Sequence, residues 1–134
     1  MAKIMRGSVV MKFMPGEDGK NFKDHPVVII CRQEIIDSRD EIWGVVASHE
    51  ATKHPDTRCR LVHLPHVPDK NSKHPFWVPT AAVCDWLATI KQSEIKDADV
   101  RGFIQLKHLE PVINKVGKFI AAKKAAKEAA SKKS

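Results

Sequence analysis

Lys23-Asp24-His25-Pro26-Val27-Val28-Ile29-Ile30 passes from charged residues through a His-Pro pair into an unbroken apolar run. So short a continuous run reads as a β-strand buried on both sides or set in a tightly curled sheet. The preceding Met14-Pro15-Gly16-Glu17-Asp18-Gly19-Lys20-Asn21 carries the turn residues of a long mobile loop, because Gly tolerates positive φ and Pro presets its own. A polar lid is thereby tethered beside His25 at the mouth of a buried strand. The ordinary pKa of a histidine, near ~6.5, suits that position to proton transfer at neutral pH. A structural or surface histidine fits the composition as well.

Outward from this strand the chain reads as a succession of short β-elements. Gly7–Phe13 is β-rich and ends at a Pro-Gly turn, as an opening strand should. Glu41–Ser48 is a third strand, whose Gly44 suggests a bulge or sharp bend. Arg58–Leu64 is a fourth, with Arg58 and Arg60 alternating with apolar neighbours and so projecting from one face. Phe76–Thr80 and Val83–Ile90 supply two more, and 95–101 admits a turn of helix. From Gln105 onward Leu106, Leu109, Ile113, Val116 and Ile120 recur at helical spacing, an amphipathic terminal helix. Strands first and helix last predict a mainly β protein, a small, strongly curled antiparallel sheet or barrel with that helix at its end. The expected organisation is one domain over 1–120, followed by a Lys/Ala-rich basic tail, 121–134, that either extends the helix or is disordered.

The 134 residues suffice for one modest core. The net charge of +7 suits an acidic partner such as nucleic acid. Over half of it lies in the tail, where Lys123, Lys124, Lys127, Lys132 and Lys133 face only Glu128. That tail reads either as a solvated helix end or as an arm that follows phosphates. Cys31, Cys59 and Cys84 form no CxxC pair and leave an odd thiol, which suits a reducing, cytoplasmic setting. No apolar run is long enough to span a bilayer, so no membrane association is expected.

Several pieces recur in a recognisable order. They are Arg6-Gly7-Ser8-Val9-Val10, an acidic Pro/Gly loop, a residue-Pro pair opening an apolar strand, a strand ending in a hydroxyl residue, Asp85 before Thr89-Ile90, and Gly102-Phe103-Ile104 before a terminal helix. Together they resemble the MazF/PemK (Kid-like) toxins of type II toxin–antitoxin systems, over about Met5 to Phe119. The resemblance implies an SH3-like barrel, a homodimer, an antitoxin partner, and metal-independent endoribonuclease activity on single-stranded RNA with no cofactor. The family's catalytic arginine precedes the strand-opening proline, where this chain has His25. Its catalytic hydroxyl matches Ser48, and Trp86 stands where the family has glutamine.

Cleavage by the ribose 2′-hydroxyl needs a base, an acid for the leaving 5′-oxygen and donors for the phosphorane charge. His25 suits base or acid, with His49 as its complement. Ser48 reads either as a strand-end cap or as a donor to a non-bridging oxygen. Lys20, Lys23, Arg58 and Arg60 would neutralise phosphate charge, and Trp77, beside a Lys-rich loop, is the candidate for base stacking. His63, His66 and His74 lack the spacing of a strong zinc motif, so no metal is expected. A non-catalytic barrel that binds nucleic acid or a protein is the alternative, since His25 does not keep the arginine's permanent charge.

Overall fold

The computed structural model describes residues 3–69, 71 and 74–132, the side chains of 130–132 excepted; Lys133 lies outside the described residues. Six strands, β1 (Ser8–Met14), β2 (Lys23–Ile29), β3 (Glu41–Ser48), β4 (Leu61–Leu64), β5 (Thr80–Lys91) and β6 (Val100–Phe103), form one antiparallel sheet in the order β4-β5-β3-β2-β1-β6. A short helix, α1 (Gln33–Ser38), links β2 to β3, and a long one, α2 (Leu106–Lys132), ends the chain. The sheet curls into a half-barrel, the mainly β architecture with a terminal helix that the sequence predicts.

Both faces of the sheet are covered, which explains the apolar run in β2. Val28 and the following Ile30 point into a core shared with Val9, Val45, Ala82 and the helix residues Leu109, Val112 and Val116. Val27 and Ile29 point the other way, into a core closed by Ile4, Cys31 and Ile36 of α1. Alternation along a strand sends successive side chains to opposite faces, so a strand with a core on each side must be apolar throughout. The α2 stripe is narrower than its spacing suggests: Leu109, Val112 and Val116 are fully covered, whereas Leu106 and Ile120 are exposed. Each covered side chain contributes about 1.5–3 kcal/mol by burial.

Several boundaries differ from the sequence reading. β2 begins at Lys23, so His25 lies inside a strand, paired with Lys12 of β1. Pro26 is tolerated there because β3 pairs with β2 only from Val27 onward. Gly44 marks no bulge; a Cβ at that position would collide with the Val28 carbonyl, so glycine permits the close approach of β2 and β3. Arg58–Arg60 belongs to a loop, and strand pairing starts at Leu61. Phe76–Pro79 is irregular, with β5 starting at Thr80. The 95–101 segment holds a 3-10 turn, Asp97–Asp99, followed by β6, which pairs with β1 at the far edge.

The irregularity of the sheet lies instead in β5. Val45 faces Leu87 and Ala47 faces Ala82, so Val83–Trp86 spans the space opposite Val46 alone. This wide bulge turns the strand over. Cys84 enters one core, whereas Trp86, two residues on, packs on the other.

Candidate functional site

Two clefts meet at the open end of β2 and β3. The first, about 630 Å³, lies between the β1–β2 loop, the loop 54–60 and the β5 bulge. The second, about 460 Å³, is bounded by Met11, Arg101 and the 75–78 segment. Lys23, His25, Ser48 and Glu50 line both, forming the wall between them. Strand register explains the pairing. Val27 faces Val46 and Val28 faces Val45, and the same register continued past the ladder sets His25 against Ser48.

His25 is only 6% exposed, and its Nε2 is buried with no hydrogen-bond partner among the described residues. Its ring meets the Trp86 indole edge-on, with centroids 5.2 Å apart. Burial pushes its pKa below the ordinary value, nearby Lys23 pushes the same way, and Asp24 opposes. The imidazole is therefore held neutral, with one nitrogen unengaged.

That shift has a measurable consequence for stability. In the unfolded chain the histidine titrates near ~6.5; in the folded chain it titrates lower. The folded state binds fewer protons between the two values, so this group's contribution is fully present above ~6.5 and is lost as pH falls below it. Urea midpoints measured at neutral and mildly acidic pH should fall further for the native chain than for His25→Gln. Equal falls would show that His25 does not titrate on unfolding.

Ser48 ends β3, and its Oγ accepts a hydrogen bond from the Ala51 N–H at 3.1 Å, tying the strand end to the 3-10 turn Glu50–Lys53, whose N-cap is His49. In that bond Ser48 Oγ only accepts, so its hydroxyl proton can still be donated to a ligand. His49 faces only the second cleft, where its Nδ1 lies 2.5 Å from the Pro79 carbonyl. A carbonyl can only accept, so Nδ1 carries the proton and Nε2 is left for other chemistry. Trp77, 46% exposed, lines the same cleft. Lys20 lies on the first cleft only, and Lys23 on both.

Arg58 and Arg60 do converge on the first cleft, although from a loop, and two carboxylates meet them there. Arg60 grips both Glu17 oxygens and reaches Asp85 at 3.2 Å; Arg58 donates to Asp85 at 2.9 Å. The Arg60 hydrogen bond holds the Glu17 carboxyl below its usual range, against the opposing effect of burial, and Glu17 in turn raises the Arg60 pKa. Asp56 fixes this loop by accepting the N–H groups of Arg60 and Leu61. Glu17 and Asp85 thus pair with the cleft arginines, although the sequence reading gave neither a place at the site. The acidity of the β1–β2 loop was visible; its fold-back onto Arg60 and the re-aiming of Asp85 by the β5 bulge had no local signal.

Cys31 and Cys84 are buried, and burial pushes the Cys84 thiol up to about 11, which removes it as a nucleophile. Among the described residues no three His, Cys, Asp or Glu side chains are placed to share a metal ion, and no helix is long and apolar enough to cross a membrane.

No protein-family model and no curated protein matches the sequence. Solved structures do match. MazF from Deinococcus radiodurans (form I) superposes with a TM-score of 0.62 at 11% identity, covering 90% of this chain and 98% of that one. The MazE–MazF structure (form II) from the same organism gives 0.60 at 10% identity, with the same coverage. An endoribonuclease in complex with its cognate antitoxin, from a mycobacterial species, gives 0.51 at 14%, covering 91% and 93%. At such identities the likeness is one of fold: the chain has the MazF fold along nearly its whole length.

Proposed function

We propose that this chain is a toxin-type endoribonuclease that cleaves single-stranded RNA without a metal, with His25 and Ser48 at the centre of its chemistry. The observation that carries the reading is the neutral His25, its Nε2 unengaged, set against Ser48 on the wall between two clefts. The MazF fold supports it, since the similar structures include an endoribonuclease.

In this mechanism His25 takes the proton of a ribose 2′-hydroxyl, whose oxygen attacks the adjacent phosphorus. The P–O5′ bond breaks, and the departing 5′-oxygen takes a proton from a protonated His49 through Nε2. Ser48 donates to a non-bridging oxygen, and Arg60 and Lys23 balance the charge gathered in the phosphorane. Trp77 stacks on a flanking base. The products are a 2′,3′-cyclic phosphate and a 5′-hydroxyl. An antitoxin partner follows from the complexes that similar proteins form, and a homodimer acting in the cytoplasm completes the reading.

The test is incubation of a long single-stranded RNA with purified protein in EDTA. Discrete fragments bearing cyclic phosphate ends are expected; intact RNA would refute the nuclease reading. A non-catalytic barrel has one observation in its favour, namely that Glu17 and Asp85 already match Arg58 and Arg60. Intact RNA that nonetheless shifts on a native gel would select it.

A further inference from the structure

The C-terminal half of α2 has no structural task in the barrel. Its packing ends at Val116 and Phe119, and every residue from 121 to 129 is exposed. The helix persists there because Ala and Lys are strong helix formers, and it runs on from a packed first half that has already met the cost of nucleation. At 1.5 Å per residue, the segment from Lys118 to its end at Lys132 projects by roughly 20 Å.

This arm leaves the barrel beside the first cleft. The Lys115 Nζ donates to the Cys59 carbonyl at 2.9 Å, which lays α2 along the loop that carries Arg58 and Arg60. Beyond that contact Lys118, Lys123, Lys124 and Lys127 are exposed against a single acid, Glu128. Among the described residues none of the four is in an ion pair.

The chemistry selects the partner. A protein groove or a lipid surface would need several large apolar anchors, and residues 118–129 offer one exposed large side chain, Ile120, beside alanines. Phosphates need only cations. We infer that the lysine helix 118–129 is a second RNA-binding surface, which follows the backbone of the strand leaving the cleft along its arginine wall. This rests on the ribonuclease reading for the identity of the polyanion, and it separates from that reading in the test.

The experiment is binding, by fluorescence anisotropy, of a labelled 2′-O-methylated single-stranded RNA of about sixteen nucleotides. Such an RNA cannot be cleaved through its 2′-oxygens, so binding is read alone. The full-length triple variant Lys123→Gln, Lys124→Gln, Lys127→Gln should lower the slope of log affinity against log salt by about 2, at ~0.7 per charge. Its affinity should fall by roughly ten- to a hundred-fold at ~0.1 M salt on the same basis. The corresponding Lys→Arg variant should restore both. An unchanged slope would overturn the inference, as would a tail-dependent loss seen with a polyglutamate peptide but not with RNA. Tail-dependent binding without cleavage of unmodified RNA would sink the nuclease reading alone; cleavage with tail-independent binding would sink this inference alone.

Discussion

Replacement of His25 by alanine is expected to lower the rate of RNA cleavage by about 10²–10⁴, the range that a positioned general base supplies. The magnitude follows from what remains: Ser48 and the arginines can still stabilise the phosphorane, but nothing adjacent accepts the 2′-proton. His49 opens only on the second cleft, and its Nδ1 is committed to Pro79. The pH profile gives a second signature. Burial holds His25 below the ordinary histidine value, so native kcat/KM should climb on an acidic limb below ~6.5, and His25→Ala should lose that limb. The ring is buried against Trp86, so His25→Ala also leaves a cavity and should lower the thermal midpoint, and the rates are compared at a temperature where both proteins are folded. An unaltered cleavage rate in a folded His25→Ala protein would remove this residue from the mechanism.

The largest effect on stability is expected at Gly7. Its φ is +100°, a conformation that L side chains rarely adopt, and a Cβ there would strike the Ile104 carbonyl and crowd Leu109. The same residue donates its N–H to Ile29 at 2.7 Å and accepts the Ile104 N–H at 2.8 Å. It therefore ties the end of β2 to the junction of β6 and α2. Gly7→Ala combines about 1–2 kcal/mol of backbone strain with the weakening of two hydrogen bonds worth about 1 kcal/mol each. A loss of roughly 3–4 kcal/mol, measured by urea denaturation, is a large part of the ~5–15 kcal/mol that holds a domain together. A loss below about 1 kcal/mol, within the range of ordinary single substitutions, would mean that the backbone relaxes here at little cost.

Legibility in the sequence followed the range over which each feature is encoded. The run Val27–Ile30 announced a strand with a core on each side, and the Leu109–Val116 spacing announced the helix that closes one of them. Both are local patterns. β6 was hidden because Val100–Phe103 is short, carries Arg101 and Gly102, and becomes a strand by pairing with β1 from the other end of the chain. α1 was hidden because a helix of six residues is too short to show a period. At the site, His25 and Ser48 stood out beside the apolar runs, although His25 proved to lie within β2 and only Ser48 at a strand end, whereas Glu17 and Asp85 gave no such signal. The first reaches Arg60 across 43 residues of chain, and the second is aimed by a bulge visible only in the register of β5 against β3.

The pairing of β1 with β6 also governs how the molecule comes into being. Ser8 finds its neighbour in Phe103, and α2 must arrive before the core that Val9 and Val28 enter is closed. A chain emerging from the ribosome can therefore pair its first three strands early, yet the face that carries Val9 and Val28 stays uncovered until α2 has been synthesised, whereas the opposite core draws on residues no later than Val100. Contacts so distant in sequence make folding slow and leave the nascent intermediate prone to aggregation. The clefts form on a schedule of their own, the first with residues as late as Trp86 of β5 and the second with Arg101 of β6. The site is consequently assembled after synthesis of most of the chain, and a truncated product would carry the residues of the site without its shape.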